Sequence, residues 1–353
     1  MQKIIFSTFL PILLLVAVPL MAQNTVAEQG DKSLPRGSLS ERFSSQAAEA
    51  FLDSFQSRNL DLHSLMIVKD GKVTYERWFG EHSPTKLHEM FSVSKTWTCM
   101  AAGFAIQENL FSLDDKIISF FPDELPETVS ENLAEMRIRD LLTMSTGHDY
   151  NQTWTWIEAG NIPTDPWVNY FFTQPVPHKP GTTWLYNSLA THMFSALIQK
   201  LTGEKLIDYL TPRLFEPLGI TGVRWVDTPS GVNIGGWGFF AKTEDNAKLG
   251  LLILQKGNWN GRQLLPEAWI EEATSRKILQ DPNIQPEQSD SDFHQGYGFQ
   301  IWRSRHNTFQ ANGMNCQFIL MFPDKNAVVV ITADTGEYQT VLNLVWEHIL
   351  PAL

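Results

Sequence analysis

Cysteine is scarce: Cys99 and Cys316 are the only two in 353 residues, so the chain is not a disulfide scaffold. Both lie in apolar contexts, where a bridge and two buried free thiols are equally open readings. Positive charge is also limited. Against 39 Asp and Glu stand 27 Lys and Arg, a net charge of −12, and no basic cluster or basic helix occurs. Nucleic acid is therefore excluded as an expected partner. No low-complexity run and no internal repeat is present. No G-x-S-x-G elbow exists, since "TMSTG" around Ser145 lacks the first glycine. The nine histidines form no H-E-x-x-H and no dense ligand cluster in sequence, so no metal and no cofactor are expected.

What is present is a globular composition, with 43% hydrophobic, 12% aromatic and 19% charged residues. It suits one large domain or two joined ones. The start, "MQKIIFSTFLPILLLVAVPLMAQ", holds one lysine, an apolar stretch from Ile4 to Leu20 and a small residue at Ala22. That is a secretory signal pattern over 1–22, which makes the expected location periplasmic or secreted, with no stable membrane anchor after cleavage. Residues 23–40 are polar and read as a disordered lead. The remaining domain, 41–353, divides into an α/β part (41–90 and 246–353) and an all-α part (91–245).

Local patterns support that division. A helix is expected from Ser44 to Gln56. "LMIVKDGKVTYERWF" (65–79) is a hairpin around Asp70-Gly71. Helices follow after Ser92 and at 138–148, 188–203, 205–215, 243–256 and 265–274, with Gly203 as a left-handed stop. Strands are expected at 297–303, 308–313, 316–323 and 327–334, and a last helix at 338–349. Strands at both ends around a helical middle give an α+β fold: one antiparallel sheet flanked by the terminal helices, plus an all-α region. The Trp-rich stretch 150–178 is expected to form part of a site wall.

Chemistry is suggested by "HEMFSVSKTWTCMAAGFAI" (88–106). Ser92 and Lys95 form S-x-x-K at the mouth of a helix that is apolar nearly all round. Ser83 to Lys86 matches the same pattern but is polar, contains Pro84 and opens no helix. On a helix, residues three apart share a face. A lysine in the first turn opposes the helix dipole and is desolvated, and both effects lower its pKa toward that of a useful base. With the Ser92 backbone N–H as an oxyanion donor, the set resembles an acyl-transfer nucleophile.

The pattern resembles the serine β-lactamase and penicillin-binding-protein superfamily, in its class C β-lactamase, esterase and DD-peptidase branch. It also resembles aminohexanoate-oligomer hydrolases. "LFSLDDKIISFFPD" (110–123), "IRDLLTMSTGH" (138–148), "KPGTTWLYNS" (179–188), "GGWGFFAKTEDNAKLGLLIL" (235–254) and "QANGMNCQFILMFPDKNAVVVI" (310–331) follow in the family's order. The resemblance implies a β-lactamase/transpeptidase-like fold. Ser92 would be the nucleophile, and Lys95 and Tyr186 the base pair, with the phenol acidified beside an ammonium. Asn187 and Ser188 would contact substrate, Ser188 bonding Lys95 or the substrate amide. In the third motif, Ala311-Asn312-Gly313, Asn312 and Gly313 would face substrate, and the Met314 N–H would be the second oxyanion donor.

Two departures stand out: Ala311 replaces the cation of many relatives, and Y-N-S replaces Y-A-N or Y-S-N. The implied substrate is a small-molecule ester or amide. A β-lactam or cell-wall peptide is the alternative, and a non-catalytic penicillin- or peptide-binding relative is a third.

Overall fold

The computed structural model describes residues 23–25, 32–151, 153 and 166–353. Residues 1–22, expected to be a signal segment, and most of 150–165 lie outside the described residues.

The centre of the fold is a six-stranded antiparallel sheet. Its strands are β1 (Asp61–Lys69), β2 (Lys72–Trp78), β3 (Trp302–Arg303), β4 (Phe309–Gly313), β5 (Gln317–Phe322) and β6 (Ala327–Asp334). The order across the sheet is β2-β1-β6-β5-β4-β3, so the two chain ends meet at the β1–β6 pair. β6, "AVVVITAD", is β-branched and buried on both faces, as its central place requires. The β1–β2 hairpin turns at Asp70 (φ 50°) and Gly71 (φ 77°), the left-handed pair that an Asp-Gly hairpin uses.

Alternation along the strands builds two cores. Phe318, Leu320, Val329 and Ile331 meet α1 (Ser45–Ser57) and α5 (Tyr338–Leu344) on one face. Ile319, Met321, Val328 and Val330 meet α4 (Thr243–Leu254) and the helical region on the other. In the helical region α2 (Ser94–Gln107) is buried from Ser94 to Ala105. Against it lies α3 (Ser188–Thr202), which ends at Gly203 with φ 76°.

The expected α+β architecture is present, with four differences of detail. The helical region also carries short strands at Arg224–Val226 and Phe239–Ala241, paired with Gln23–Thr25 and His88–Glu89 in a small second sheet. The lead expected to be disordered is docked from residue 32 onward. Leu34 is buried, and Arg36 bridges Glu76 and Glu244, each at 2.7 Å. Partners distant in sequence order a segment whose own composition does not.

The helix expected over 138–148 stops at Leu142. Met144 and Gly147 adopt positive φ, and Ser145 and Gly147 accept hydrogen bonds from Gly181 and His178 instead. The strand expected at 297–303 is reduced to Trp302–Arg303. There the chain turns at Gln300 (φ 56°), whose buried amide bonds Thr191 and the Leu141 and Leu142 carbonyls. Cys99 and Cys316 are free, buried thiols in different cores.

Candidate active site

The chain leaves the His88–Glu89 strand, turns through Phe91–Val93 and enters α2. Phe91 makes that turn at φ 45°, a strained value for a phenylalanine. Ser92 is thereby presented at the helix mouth, partly exposed, while Lys95 is 1% exposed in the first turn behind it. Lys95 Nζ lies 2.9 Å from Ser92 Oγ and donates to the Gly236 carbonyl at 2.7 Å. It also lies 4.7 Å from the centre of the Tyr186 ring. The Tyr186 side chain hydrogen-bonds Ser92. The fold thus brings Ser92, Lys95 and Tyr186 into one cluster.

Burial sets the electrostatics. It pushes the Lys95 ammonium well below its ordinary value, and the positive end of α2 acts in the same direction. The phenol behaves differently from the sequence expectation. Instead of being acidified by an ammonium, Tyr186 is pushed up by burial, against a smaller lowering from its Ser92 hydrogen bond. Trp184 and Trp302 pack on its ring, at 6.2 and 5.7 Å between centroids. A neutral amine beside a protonated phenol is the state this environment favours, because a desolvated lysine supplies no full charge to acidify the tyrosine.

A cleft of 360 Å³ opens over Ser92, walled by Tyr186, Phe293, Trp302, Met314 and Tyr338. Asn312 and Gly313 complete its floor. The Asn312 amide nitrogen is buried without a hydrogen-bond partner among the described residues, and Asn312 lines the cleft. Ala311 is buried in the core on the other side of the strand. Among the described residues no Lys or Arg lines the cleft.

Two expected contact residues are placed elsewhere. The Asn187 side chain caps α3, accepting from Leu189 N at 3.0 Å and Ala190 N at 3.3 Å, and it does not line the cleft. Ser188 is the buried first residue of α3 and makes no bond to Lys95. The Gly236 carbonyl takes that place. A Cβ on Gly236 would lie 2.6 Å from the Ser188 carbonyl oxygen, so only glycine allows this approach. Of the described part of 150–178 no residue lines the cleft. Phe293 and Tyr338 carry no signal in the sequence, and Gly236 enters only as part of the family-like segment 235–254. Trp302 was expected as part of a strand.

Gly313 is required by a close approach of β4 to the serine turn. A Cβ there would fall on the Met90 carbonyl oxygen and lie 3.2 Å from Ser92 N. Gly313→Ala is expected to lose about 1–3 kcal/mol of stability from overpacking against backbone, read by denaturant unfolding. It should also displace the Met314 N–H and lower hydrolysis by about 10²-fold. A variant with wild-type stability and rate contradicts that reading.

The histidine expectation also needs correction. His63, His82 and His88 come together in space, each with a ring nitrogen within 4.8 Å of the others.

Comparison with known proteins agrees with this geometry. Residues 57–350 match the Beta-lactamase family model. A lovastatin esterase from Penicillium rubens is 28% identical over 174 residues, 42% of this chain and 43% of the esterase. The chain therefore spans less than half the length of this curated relative. A Bacillus anthracis protein assigned as a 6-aminohexanoate-dimer hydrolase superposes with TM-score 0.75 at 20% identity, covering 94% of this chain and 92% of that one. EstCE1, a hydrolase with promiscuous acyltransferase activity, superposes with TM-score 0.70 at 16% identity, covering 88% and 100%. The family match spans most of the chain and includes the serine, lysine and tyrosine just described, so this protein belongs to the Beta-lactamase family.

Proposed function

We propose that the chain is a serine hydrolase that cleaves small-molecule esters, and more slowly amides, through an acyl-enzyme on Ser92. The observation that carries this is Ser92 Oγ held 2.9 Å from a desolvated lysine inside an aromatic cleft. Ser92 Oγ attacks the carbonyl carbon while its proton passes to the neutral Lys95 amine. The oxyanion is met by the Ser92 and Met314 N–H groups. Tyr186, hydrogen-bonded to Ser92, passes a proton from Lys95 to the leaving oxygen or nitrogen. Water then attacks the acyl carbonyl and gives a proton to Lys95, which returns it to Ser92 Oγ as the acyl bond breaks and the acid leaves.

The cleft supports an apolar acyl group better than a charged one. Its wall is aromatic and thioether, and among the described residues no cation lines it to meet the carboxylate of a β-lactam or a D-alanyl peptide. Similarity to a lovastatin esterase supports the same substrate class. The test is parallel incubation with p-nitrophenyl butyrate and benzylpenicillin, following p-nitrophenol release and intact mass. The expected result is ester turnover with penicillin recovered intact and no adduct. A penicilloyl adduct on Ser92 without ester turnover would replace this reading with a penicillin-binding one.

A further inference from the structure

His63 on β1, His82 in the loop that follows β2, and His88 on the short strand before Ser92 converge from three segments. His63 Nδ1 and His88 Nε2 are 3.2 Å apart. A tetrahedral ion with bonds near 2.0–2.1 Å sets its ligand nitrogens about 3.3 Å apart, so this pair already has that spacing. The rings of His63 and His82 stack at 3.9 Å between centroids, and His82 and His88 lie at 4.5 Å. His82 Nδ1 is buried with no hydrogen-bond partner among the described residues. On the far side of His63, Nε2 lies 3.5 Å from Asp61 Oδ2. A carboxylate behind a ligating imidazole is the arrangement that fixes its tautomer and raises its basicity.

We infer that His63, His82 and His88 form a binding site for one divalent transition-metal ion of the Zn²⁺ class, with a fourth position open to water. The site is separate from the cleft over Ser92. It opens on its own cavity of 230 Å³, which Glu89 and Asp334 also line. Three imidazoles and, among the described residues, no carboxylate grouped with them select Zn²⁺, Ni²⁺ or Cu²⁺ over Mg²⁺ or Ca²⁺. The nearby cation, Lys86, is held by Glu81 at 3.2 Å. An ion there ties β1, the 79–87 loop and the strand leading to Phe91 into one unit. Phe91 borders the same cavity, so the ion would brace the turn that presents Ser92 without touching substrate.

The test is calorimetric titration of tag-free, EDTA-stripped full-length protein with ZnCl₂, paired with thermal unfolding. One Zn²⁺ per chain is expected, with a Tm rise of about 5 °C at a hundredfold excess over Kd and none with MgCl₂. His82→Gln should weaken binding at least about 100-fold, and Asp61→Asn, which leaves every ligand in place, about 10-fold. The Asp61 variant carries the test if His82→Gln fails to fold. No saturable Zn²⁺ binding by folded wild type, or unchanged Kd in both variants, overturns the assignment.

Discussion

Ser92→Ala is expected to lose ester hydrolysis by about 10⁴- to 10⁶-fold, roughly 5–8 kcal/mol of transition-state stabilisation. The reason is chemical: removing Oγ removes the bond-forming atom, and the cleft, Asn312 and the backbone donors can only bind what they cannot attack. Folding should survive. Ser92 is partly exposed, and Lys95 keeps the Gly236 carbonyl as a partner, so the stability change should stay within about 1 kcal/mol. Ser83→Ala is the control, because that serine belongs to the second S-x-x-K, whose Lys86 is engaged by Glu81. Initial rates and urea unfolding of the two variants decide the matter. A folded Ser92→Ala enzyme with more than a tenth of wild-type activity is incompatible with an acyl-enzyme on that residue.

Lys95→Met is expected to lower kcat/KM by about 10²- to 10⁴-fold, the share of a general base. In the wild type kcat/KM should rise with pH and level off well below lysine's ordinary 10.5, because burial lowers the amine. The same shift links to stability. The folded pKa lies below the unfolded one, so between the two values the unfolded chain binds one more proton, and wild-type stability rises with pH. Methionine carries no such penalty. The stability difference, variant minus wild type, should therefore be largest at low pH and shrink as pH approaches 10.5, whatever constant cost the orphaned Gly236 carbonyl adds. A pH-independent difference would mean that Lys95 remains charged in the fold.

The parts of this site that could be read from sequence are those set by local geometry. Ser92 and Lys95 sit three apart at the start of an apolar helix, and helical spacing alone puts them on one face. The hairpin at Asp70-Gly71 and the buried strand at 327–334 were likewise legible, because a turn pair and a β-branched run state their own conformation. Tyr186 came only through family resemblance, since nothing in "LYNS" says that its ring will lie over a lysine far away in the chain.

What was missed depends on contacts between distant segments. Phe293 and Tyr338 reach the cleft from opposite ends of β3–β6, and Gly236 reaches Lys95 because a glycine can press against α3. Asn187 was misread because an asparagine before a helix serves equally as a cap or as a substrate contact, and here the two Leu189 and Ala190 amides hold it. The histidines follow no short spacing motif, as a strand, a loop and a second strand bring them together. The lead at 32–40 and the turn at Met144 were misjudged for the same reason: polar composition and apolar periodicity say nothing about a partner 200 residues away, such as Glu244 for Arg36.

The most direct measurement is mass spectrometry of protein quenched in acid during turnover of p-nitrophenyl butyrate, followed by tryptic mapping. The account predicts one butyryl group on the peptide 87–95, localised to Ser92. Ser94 should stay unmodified, because its hydroxyl is buried and accepts a hydrogen bond from Phe239 N at 3.2 Å. A burst of p-nitrophenol with the acyl group on any other residue, or steady turnover by an enzyme whose peptide 87–95 never gains mass, contradicts it.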